Sequence, residues 1–295
     1  MIVVTTPTGA IGSKVVRNLL DRDAKVRVIV RDPAKLSDSV RDRVEVVPGS
    51  HSDADVVNTA FVGADAVFWL APPNFRAVSL DAAYSDFARP AAAAFVSQGV
   101  GRVVGVSALG RGTLVAGQAG FVTGALAMDD VIAASGVNFR SLALPGFMDN
   151  VLRQVDEIMN EGVYRTPLRA DLKLPHCATQ DIAAAATRLL LDDTWTGQGH
   201  VAVLGPEDLS SNDMAAIMSD VLGRPVRCEQ TPPEAFLAGL QASGMSEATV
   251  RAYFDMMTAK NNGLDEAEPR TPESSSPTSF RQWCEEVLKP AAAAR

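Results

Sequence analysis

The sequence predicts an α/β protein built on a doubly wound parallel sheet, and three observations carry that prediction. Short β-branched apolar runs recur through the first half, stretches long enough for crossover helices separate them, and the first junction is a glycine-bearing turn that runs straight into an amphipathic helix. The runs cover residues 2–5, 26–30, 44–47, 66–70, 103–107 and 139–144. Strands that are apolar throughout are those buried on both faces, so helices are expected on each side of a parallel sheet. Between the runs, residues 11–20 carry apolar side chains at 11, 15, 16, 19 and 20, and residues 82–98 provide a second crossover helix.

Past Leu144 the alternation ends in Pro145-Gly146. A helix is expected over 150–161, and an acid-started helix over 181–191. Runs at 201–204 and 226–229 surround a helix over 212–221 that Gly223 terminates, and Pro232-Pro233 opens a last helical hairpin. Residues 266–279 are rich in Pro, Ser and acid and read as a surface loop, followed by an amphipathic helix over 280–288 and a fraying Ala-rich tail. The expected division is a dinucleotide-binding domain over 1–150 and a smaller α+β lobe over 151–295, interleaved with the first and covering the substrate.

With 35 Asp and Glu against 27 Lys and Arg, the formal charge of the 295 residues is −8, a field that repels nucleic acid and anionic membranes. The three cysteines, Cys177, Cys228 and Cys284, form no CxxC and have no ligand-like His spacing, so neither a disulfide framework nor a metal site is expected. The chain opens on Met1-Ile2-Val3-Val4 without a basic segment, and no run reaches the ~18 apolar residues of a spanning helix. A soluble, unprocessed cytoplasmic protein is expected.

The turn after the first run reads Thr6-Pro7-Thr8-Gly9-Ala10-Ile11-Gly12. In this strand-turn-helix context Gly9 lets backbone approach a pyrophosphate, Gly12 lets the helix pack on the strand, and the helix N-terminus supplies free amides and a positive dipole end. Thr6 stands where the first glycine is expected, and Pro7 removes a donor, so the loop is less permissive than the usual version. An ordinary βα turn is the alternative. Arg31 follows the second strand where an acid would receive a ribose 2′-OH, and its planar fork suits a 2′-phosphate, with Lys35 one turn onward. NADP(H) is favoured over NAD(H); a solvated surface charge is the other reading of Arg31.

With Thr8-Gly9-Ala10-Ile11-Gly12, Arg31-Asp32-Pro33, Ala71-Pro72-Pro73, Ser107-Ala108-Leu109-Gly110, Ser135-Gly136-Val137 and Pro145-Gly146-Phe147-Met148-Asp149-Asn150 in this order, the sequence resembles the NmrA-like family of atypical short-chain dehydrogenase/reductases. Asp181-Ile182-Ala183-Ala184, Leu204-Gly205-Pro206-Glu207 and Leu222-Gly223-Arg224-Pro225 extend the resemblance through most of the chain. It implies a Rossmann-type domain holding NADP(H), a smaller lobe forming a cleft over the nicotinamide, and cofactor contacts at Leu70, Ala71, Pro72 and Ser107. His51 would border the adenine beside Ser50, a position where relatives often carry an acid. Members are either NAD(P)H-dependent quinone, dye or imine/enone reductases, or dinucleotide-binding redox regulators.

Typical short-chain dehydrogenases pair a Ser after the fifth strand with Tyr-x-x-x-Lys on the next helix, the lysine lowering the tyrosine pKa for proton exchange with a carbonyl. Ser107 matches, but the Tyr and Lys positions fall on Phe121 and Ala125, with Asp129 where many relatives carry an acid, and no Tyr or Lys occurs between Arg102 and Arg140. Ser107 reads equally as a strand-end hydroxyl capping the next turn. Ordinary ketone and alcohol chemistry is disfavoured; a quinone, an iminium or a conjugated enone accepts hydride without a delivered proton. Asn74, Phe75, Phe147 and Met148 lie on loops after the fourth and sixth strands and are candidate substrate contacts, or plain loop anchors. Tyr164 and His176, in the second lobe, are candidate proton donors, although a lone Tyr or His is more often structural. The favoured reading is an NADP(H)-dependent reductase of an aromatic or conjugated small molecule; the alternative is a non-catalytic NADP(H) sensor acting through a protein partner. A homodimer is compatible with the helix faces, none of which stands out as a pairing stripe.

Overall fold

The alternation of apolar runs and helical stretches becomes a regular βα succession in the computed structural model, which describes residues 1–295. In chain order the first elements are β1 (Ile2–Thr5), α1 (Gly12–Leu20), β2 (Val26–Val30), α2 (Asp38–Arg41), β3 (Glu45–Pro48), α3 (Ala54–Ala60), β4 (Ala66–Trp69), α4 (Leu80–Ala83), α5 (Ser85–Ser97), β5 (Arg102–Val106), α6 (Phe121–Ala134) and β6 (Asn138–Ala143). Then follow β7 (Gly146–Phe147), α7 (Val155–Glu161), β8 (Val163–Thr166), β9 (Leu174–Cys177), α8 (Thr179–Leu191), β10 (Gln198–Ala202), β11 (Asp208–Leu209), α9 (Ser211–Leu222) and β12 (Arg227–Gln230). The chain closes with α10 (Pro233–Ala242), α11 (Glu247–Asn261), α12 (Phe280–Trp283) and α13 (Lys289–Ala293). It divides into two compact units, each assembled from three segments: Met1–Ala108, Gly124–Ala143 and Ile182–Val201 in the first, and Leu109–Thr123, Leu144–Asp181 and Ala202–Arg295 in the second.

The first unit is built on a seven-stranded sheet of order β10-β6-β5-β4-β1-β2-β3, in which β1 to β6 run parallel. β1 lies between β2 and β4, so the strand order reverses there, and the loops leaving β1 and β4 part at the carboxyl ends of the strands, where doubly wound sheets bind ligands. The β-branched residues predicted to fill both faces do so: Val3, Val4, Val28, Val67, Val103 and Val104 are fully buried. One face packs Phe61 of the α3 turn, Phe95 of α5, and Met128 and Ile132 of α6 against Trp69 and Phe139, with Phe61 and Phe95 stacked at 5.1 Å.

The crossover predicted as one helix over 82–98 is two. The backbone leaves helical geometry at Tyr84 (φ −126°, ψ −73°) between α4 and α5, and Pro90 sits inside α5. At that break the Tyr84 ring occupies the space over Gly124 of α6, where an added Cβ would come within 2.6 Å of the ring.

In the second unit β7, β9 and β11 form one small sheet, β9 pairing parallel with β7 and antiparallel with β11, while β8 and β12 form a parallel pair. The helix predicted over 150–161 opens as a 3-10 run, Met148–Gln154, before becoming α7. α9 starts with a capping box in which Ser210 and Asp213 satisfy each other's amides, and ends at Gly223 in the left-handed conformation (φ +67°). Two expectations are corrected. The stretch 266–279 is no free surface loop: Thr278 and Ser276 are buried, the Leu204 amide donates to the Ser274 carbonyl at 2.8 Å, and the Thr278 amide and hydroxyl both donate to the Asp181 carboxylate, at 3.0 and 2.8 Å. Thr278 thus pairs with a buried carboxylate and the Ser275 hydroxyl donates to the Gly205 carbonyl at 3.3 Å, while Thr271 and Ser274 bond each other. The Ala-rich tail does not fray either, since α13 is helical to Ala293, Ala292 is buried, and Arg295 pairs with Asp156.

Candidate functional site

The glycine turn is built from the end of β1. The Thr5 hydroxyl ties β1 to β4 by donating to the Phe68 carbonyl (3.1 Å) and accepting from the Leu70 amide (3.0 Å). The chain turns at Thr6, whose φ is +50°, and the Gly9 amide donates to the Thr6 carbonyl at 3.0 Å. That carbonyl lies so close to Gly12 that any Cβ at 12 would overlap it, which is why the turn requires glycine at this position. Ile11 is buried beneath the turn, while Thr8 and Ala10 are exposed on it. α1 then begins with neither a side-chain cap nor an acidic residue in its first turn; the Ser13 and Lys14 amides donate to the Gly9 and Ile11 carbonyls at 3.0 Å, so the amides open to an anion at the positive dipole end are those of Ala10, Ile11 and Gly12. This cradle fits the pyrophosphate of a dinucleotide.

At the end of β2 the Asp32 carboxylate accepts from the Ala34 amide at 3.1 Å and shapes the 3-10 turn Pro33–Lys35. Arg31 and Lys35 are both exposed beside that turn, with no hydrogen bond or ion pair drawing the guanidinium away from a ligand. After β3, Ser50 shares a 2.9 Å hydrogen bond with the Ser52 hydroxyl. His51 is buried: its Nε2 lies 3.0 Å from the Leu70 carbonyl, and its ring meets Trp69 and Phe87 edge-on at 5.1 and 4.9 Å. Burial, with a smaller push from the nearby Arg31 charge, lowers its pKa to about 4, so the ring is neutral at pH 7. Leu70, Ala71 and Pro72, after β4, are half-buried, and Asn74 and Phe75 are exposed beyond them, Asn74 Oδ1 accepting from the Arg76 amide at 3.1 Å.

Ser107 follows β5, its amide held by the Leu142 carbonyl at 3.0 Å. Its hydroxyl donates to the Asp129 carboxylate of α6 at 2.6 Å, and both residues are buried. Phe121 and Ala125, at the positions of the missing Tyr and Lys, precede Asp129 on the same helix. The Ser107 proton is therefore directed into the protein. Tyr84, which the sequence reading passed over, has its pKa raised to about 12 by burial against α6. No periodicity signals that position, because it falls in the break between α4 and α5.

In the second unit His176 lies on β9 with Nδ1 3.0 Å from the Leu174 carbonyl, and its ring edge faces Gly146 of β7. Burial, reinforced by the Lys260 charge, lowers its pKa to about 4. Lys260 itself is buried in a 2.5 Å ion pair with Asp265. Tyr164, on β8 opposite Cys228 of β12, is packed against the core of the second unit, and burial raises its pKa to about 12. Burial thus keeps the His176 ring neutral near pH 7 and the Tyr164 phenol protonated. Phe147 is half-buried, whereas Met148 is 1% exposed and is a core residue, because the 3-10 run it opens turns it inward among Val151, Ala178 and Leu209. The polar pairs Asp181–Thr278, Lys260–Asp265 and Arg270–Asp208 (2.5 Å) went unread in the sequence. No group of three or more His, Cys, Asp and Glu side chains is arranged to hold a metal ion, and no helix is long and apolar enough to cross a membrane.

Comparison with known proteins agrees with this architecture. The model of the NmrA-like family matches residues 1–283. The chain is 32% identical over 296 residues to the (4-alkanoyl-5-oxo-2,5-dihydrofuran-3-yl)methyl phosphate reductase of Streptomyces griseus, covering 97% of each chain. It is 29% identical over 256 residues to the NAD(P)H azoreductase of Xenophilus azovorans, covering 87% of this chain and 86% of that one. Among solved structures, the NADPH-dependent quinone oxidoreductase of Escherichia coli complexed with NADPH superposes with a TM-score of 0.78 at 19% identity, covering 98% of this chain and 100% of the other. The triphenylmethane reductase of Citrobacter complexed with NADP(H) gives 0.78 at 17% identity, covering 100% and 99%. These two likenesses concern the fold.

Proposed function

The chain belongs to the NmrA-like family, and from that premise we propose that it is an NADP(H)-dependent reductase acting on a conjugated enone whose double bond is activated by two carbonyl groups. The observation that carries the reading is the likeness, along 97% of both chains, to a reductase named for a 4-alkanoyl-5-oxo-2,5-dihydrofuran. In such a ring the double bond is conjugated with the ring carbonyl and with the alkanoyl carbonyl. Hydride added to the carbon bearing the hydroxymethyl phosphate pushes the π pair onto the neighbouring carbon, where both carbonyl oxygens share the charge as an enolate, and water returns the proton. An acceptor of this kind suits a protein whose α6 carries Phe121 and Ala125 in place of a Tyr and Lys, and whose Ser107 hydroxyl donates its hydrogen bond to Asp129.

When bound, the reduced nicotinamide supplies the hydride. Gly9, Gly12 and the backbone of Thr8, Ala10 and Ile11 would hold the pyrophosphate on the open start of α1, and Arg31 with Lys35 would pair with the 2′-phosphate, favouring NADP(H). Leu70, Ala71, Pro72 and Ser107 would border the nicotinamide end. Asn74 and Phe75 would meet the acceptor.

The test supplies NADPH carrying deuterium at the transferable position, together with a 2-acylbutenolide, a benzoquinone or an azo dye, and follows nicotinamide oxidation. The expected result is fastest turnover with the butenolide and deuterium at its β carbon. Reduction of the quinone or dye alone would overturn the acceptor, and tight NADPH binding with no turnover of any of the three would favour a redox-responsive binding protein.

A further inference from the structure

At Phe121, where α6 lacks its tyrosine, another helix brings a phenol alongside. α11 approaches the start of α6 so closely that Gly120 (φ +54°) is the residue the contact requires, since a Cβ there would overlap the Ala252 carbonyl. The next residue on each side of that contact is aromatic. The rings of Phe121 and Tyr253 lie 6.0 Å apart at 52°, and Phe236 of α10 meets Tyr253 edge-on at 5.6 Å. Thr123 fixes the turn into α6, its hydroxyl donating to the Ala116 carbonyl at 2.7 Å and accepting from the Ala119 amide at 2.9 Å. The Tyr253 ring is held by packing alone, for its hydroxyl makes no hydrogen bond within the protein and the residue is half-buried rather than sealed. The chain has three tyrosines. Tyr84 and Tyr164 each have their pKa pushed up to about 12 by burial, and Tyr253 is the phenol that stands beside Phe121.

We propose that Tyr253 supplies from α11 the phenol that α6 lacks, its O–H donating to the carbonyl oxygen of the acceptor on which enolate charge develops. As hydride adds to the β carbon, the carbon–carbon π pair shifts toward the carbonyl and the carbonyl π pair moves onto oxygen. The phenol proton passes to that oxygen, leaving an enol and a phenolate. Water reprotonates the phenolate, and the enol becomes the ketone by taking a proton from water at the α carbon and losing the one on oxygen. A donor aimed at charge that develops only during the reaction holds the transition state more tightly than the substrate, which is the condition for raising kcat. The proposal rests on the enone reading given above and deepens it, because the proton that α6 cannot deliver comes from a different helix.

The experiment uses the full chain as wild type, as Tyr253→Phe, and as Tyr253→Phe combined with Phe121→Tyr. It measures the melting temperature, the NADPH dissociation constant, kcat and KM for a 2-acylbutenolide, and the affinity for a 3-acyltetronate, a stable enolate of the same ring. Tyr253→Phe keeps the ring packing and should keep the melting temperature and NADPH affinity, while kcat falls about 100-fold with KM within about threefold. It should also bind the acyltetronate roughly 10-fold more weakly, having lost a hydrogen bond to a charged oxygen. Phe121→Tyr in that background returns a phenol to the same neighbourhood and should recover about tenfold in kcat. If wild type reduces the butenolide and Tyr253→Phe matches its kcat within about threefold, the proposal falls alone. A loss of kcat that comes with a lower melting temperature and weaker NADPH binding, and that Phe121→Tyr does not recover, would assign Tyr253 to packing and overturn the proposal. If wild type does not reduce the butenolide, the enone reading falls and takes the proposal with it.

Discussion

The hydroxyl of Ser107 donates a 2.6 Å hydrogen bond to the carboxylate of Asp129, and both side chains are buried in the first unit. A serine so placed ties the end of β5 to α6, and its one hydroxyl proton is engaged by Asp129. Ser107→Ala is therefore expected to keep kcat toward a 2-acylbutenolide within about threefold, while lowering stability by about 1–3 kcal/mol through the carboxylate left short of a donor. Steady-state kinetics and urea unfolding measure the two effects. A hundredfold loss of kcat would make the hydroxyl part of the proton path.

Arg31 is exposed beside the turn that Asp32 shapes, and its guanidinium is free of ion pairs. Arg31→Ala should weaken NADPH binding about 10- to 100-fold, the range of a charged hydrogen bond to phosphate, and leave NADH binding unchanged. Calorimetry with both dinucleotides distinguishes a 2′-phosphate contact from a general loss of the site, which would weaken both equally.

Gly12 has no room for a side chain, because the Thr6 carbonyl stands where a Cβ would go. Gly12→Ala should lower the stability of the free protein by roughly 1–3 kcal/mol and abolish measurable dinucleotide binding, since α1 would have to move off β1. Gly9→Ala meets the same carbonyl only at 3.4 Å and should fold normally. Melting curves of the two variants, compared with NADPH titrations, check the contrast.

His51 and His176 are both held neutral, each with its pKa lowered from 6.5 to about 4 chiefly by burial. The unfolded chain binds these protons below pH 6.5 and the folded chain only below about 4, so the unfolded state holds more protons in between and stability rises with pH across that window. Stability should fall as pH drops from 6.5 toward 4, by roughly 3 kcal/mol per histidine at most, and level off below. Urea unfolding at several pH values should show the slope flattened in His51→Gln and in His176→Gln. An unchanged slope in both variants would show that the histidines are not the proton-linked groups.

Asp181 is buried and accepts from both the amide and the hydroxyl of Thr278. Thr278→Val removes one donor from a buried carboxylate, and about 1–3 kcal/mol of stability should go with it. Faster proteolysis within residues 266–279 should accompany that loss, because this pair fastens the strap. Resistance equal to wild type would mean that the Leu204 and Ser274 backbone bond holds the strap unaided.

The sequence by itself determined the βα succession of the first unit, the glycine turn, the basic residues after β2 and the lack of a Tyr-Lys pair on α6. Each is a local property: apolar periodicity over four to six residues, a turn needing glycine at one position, or the identity of a residue at a helix register. The tertiary structure alone decided that the Ser107 hydroxyl donates to Asp129, 22 residues away, that the polar stretch 266–279 is fastened to Asp181, 97 residues from Thr278, and that Met148 is core. The same holds for the neutral state of His51 and His176, and for the strained backbone at Thr6. Composition made 266–279 look solvated because Ser, Thr and Pro are loop residues, and most of the stretch is indeed exposed or half-buried; Thr278 is buried where a carboxylate from another element receives it. Burial, pKa and hydrogen-bond partnership depend on which distant segments share a neighbourhood, and that is settled by packing rather than by local pattern.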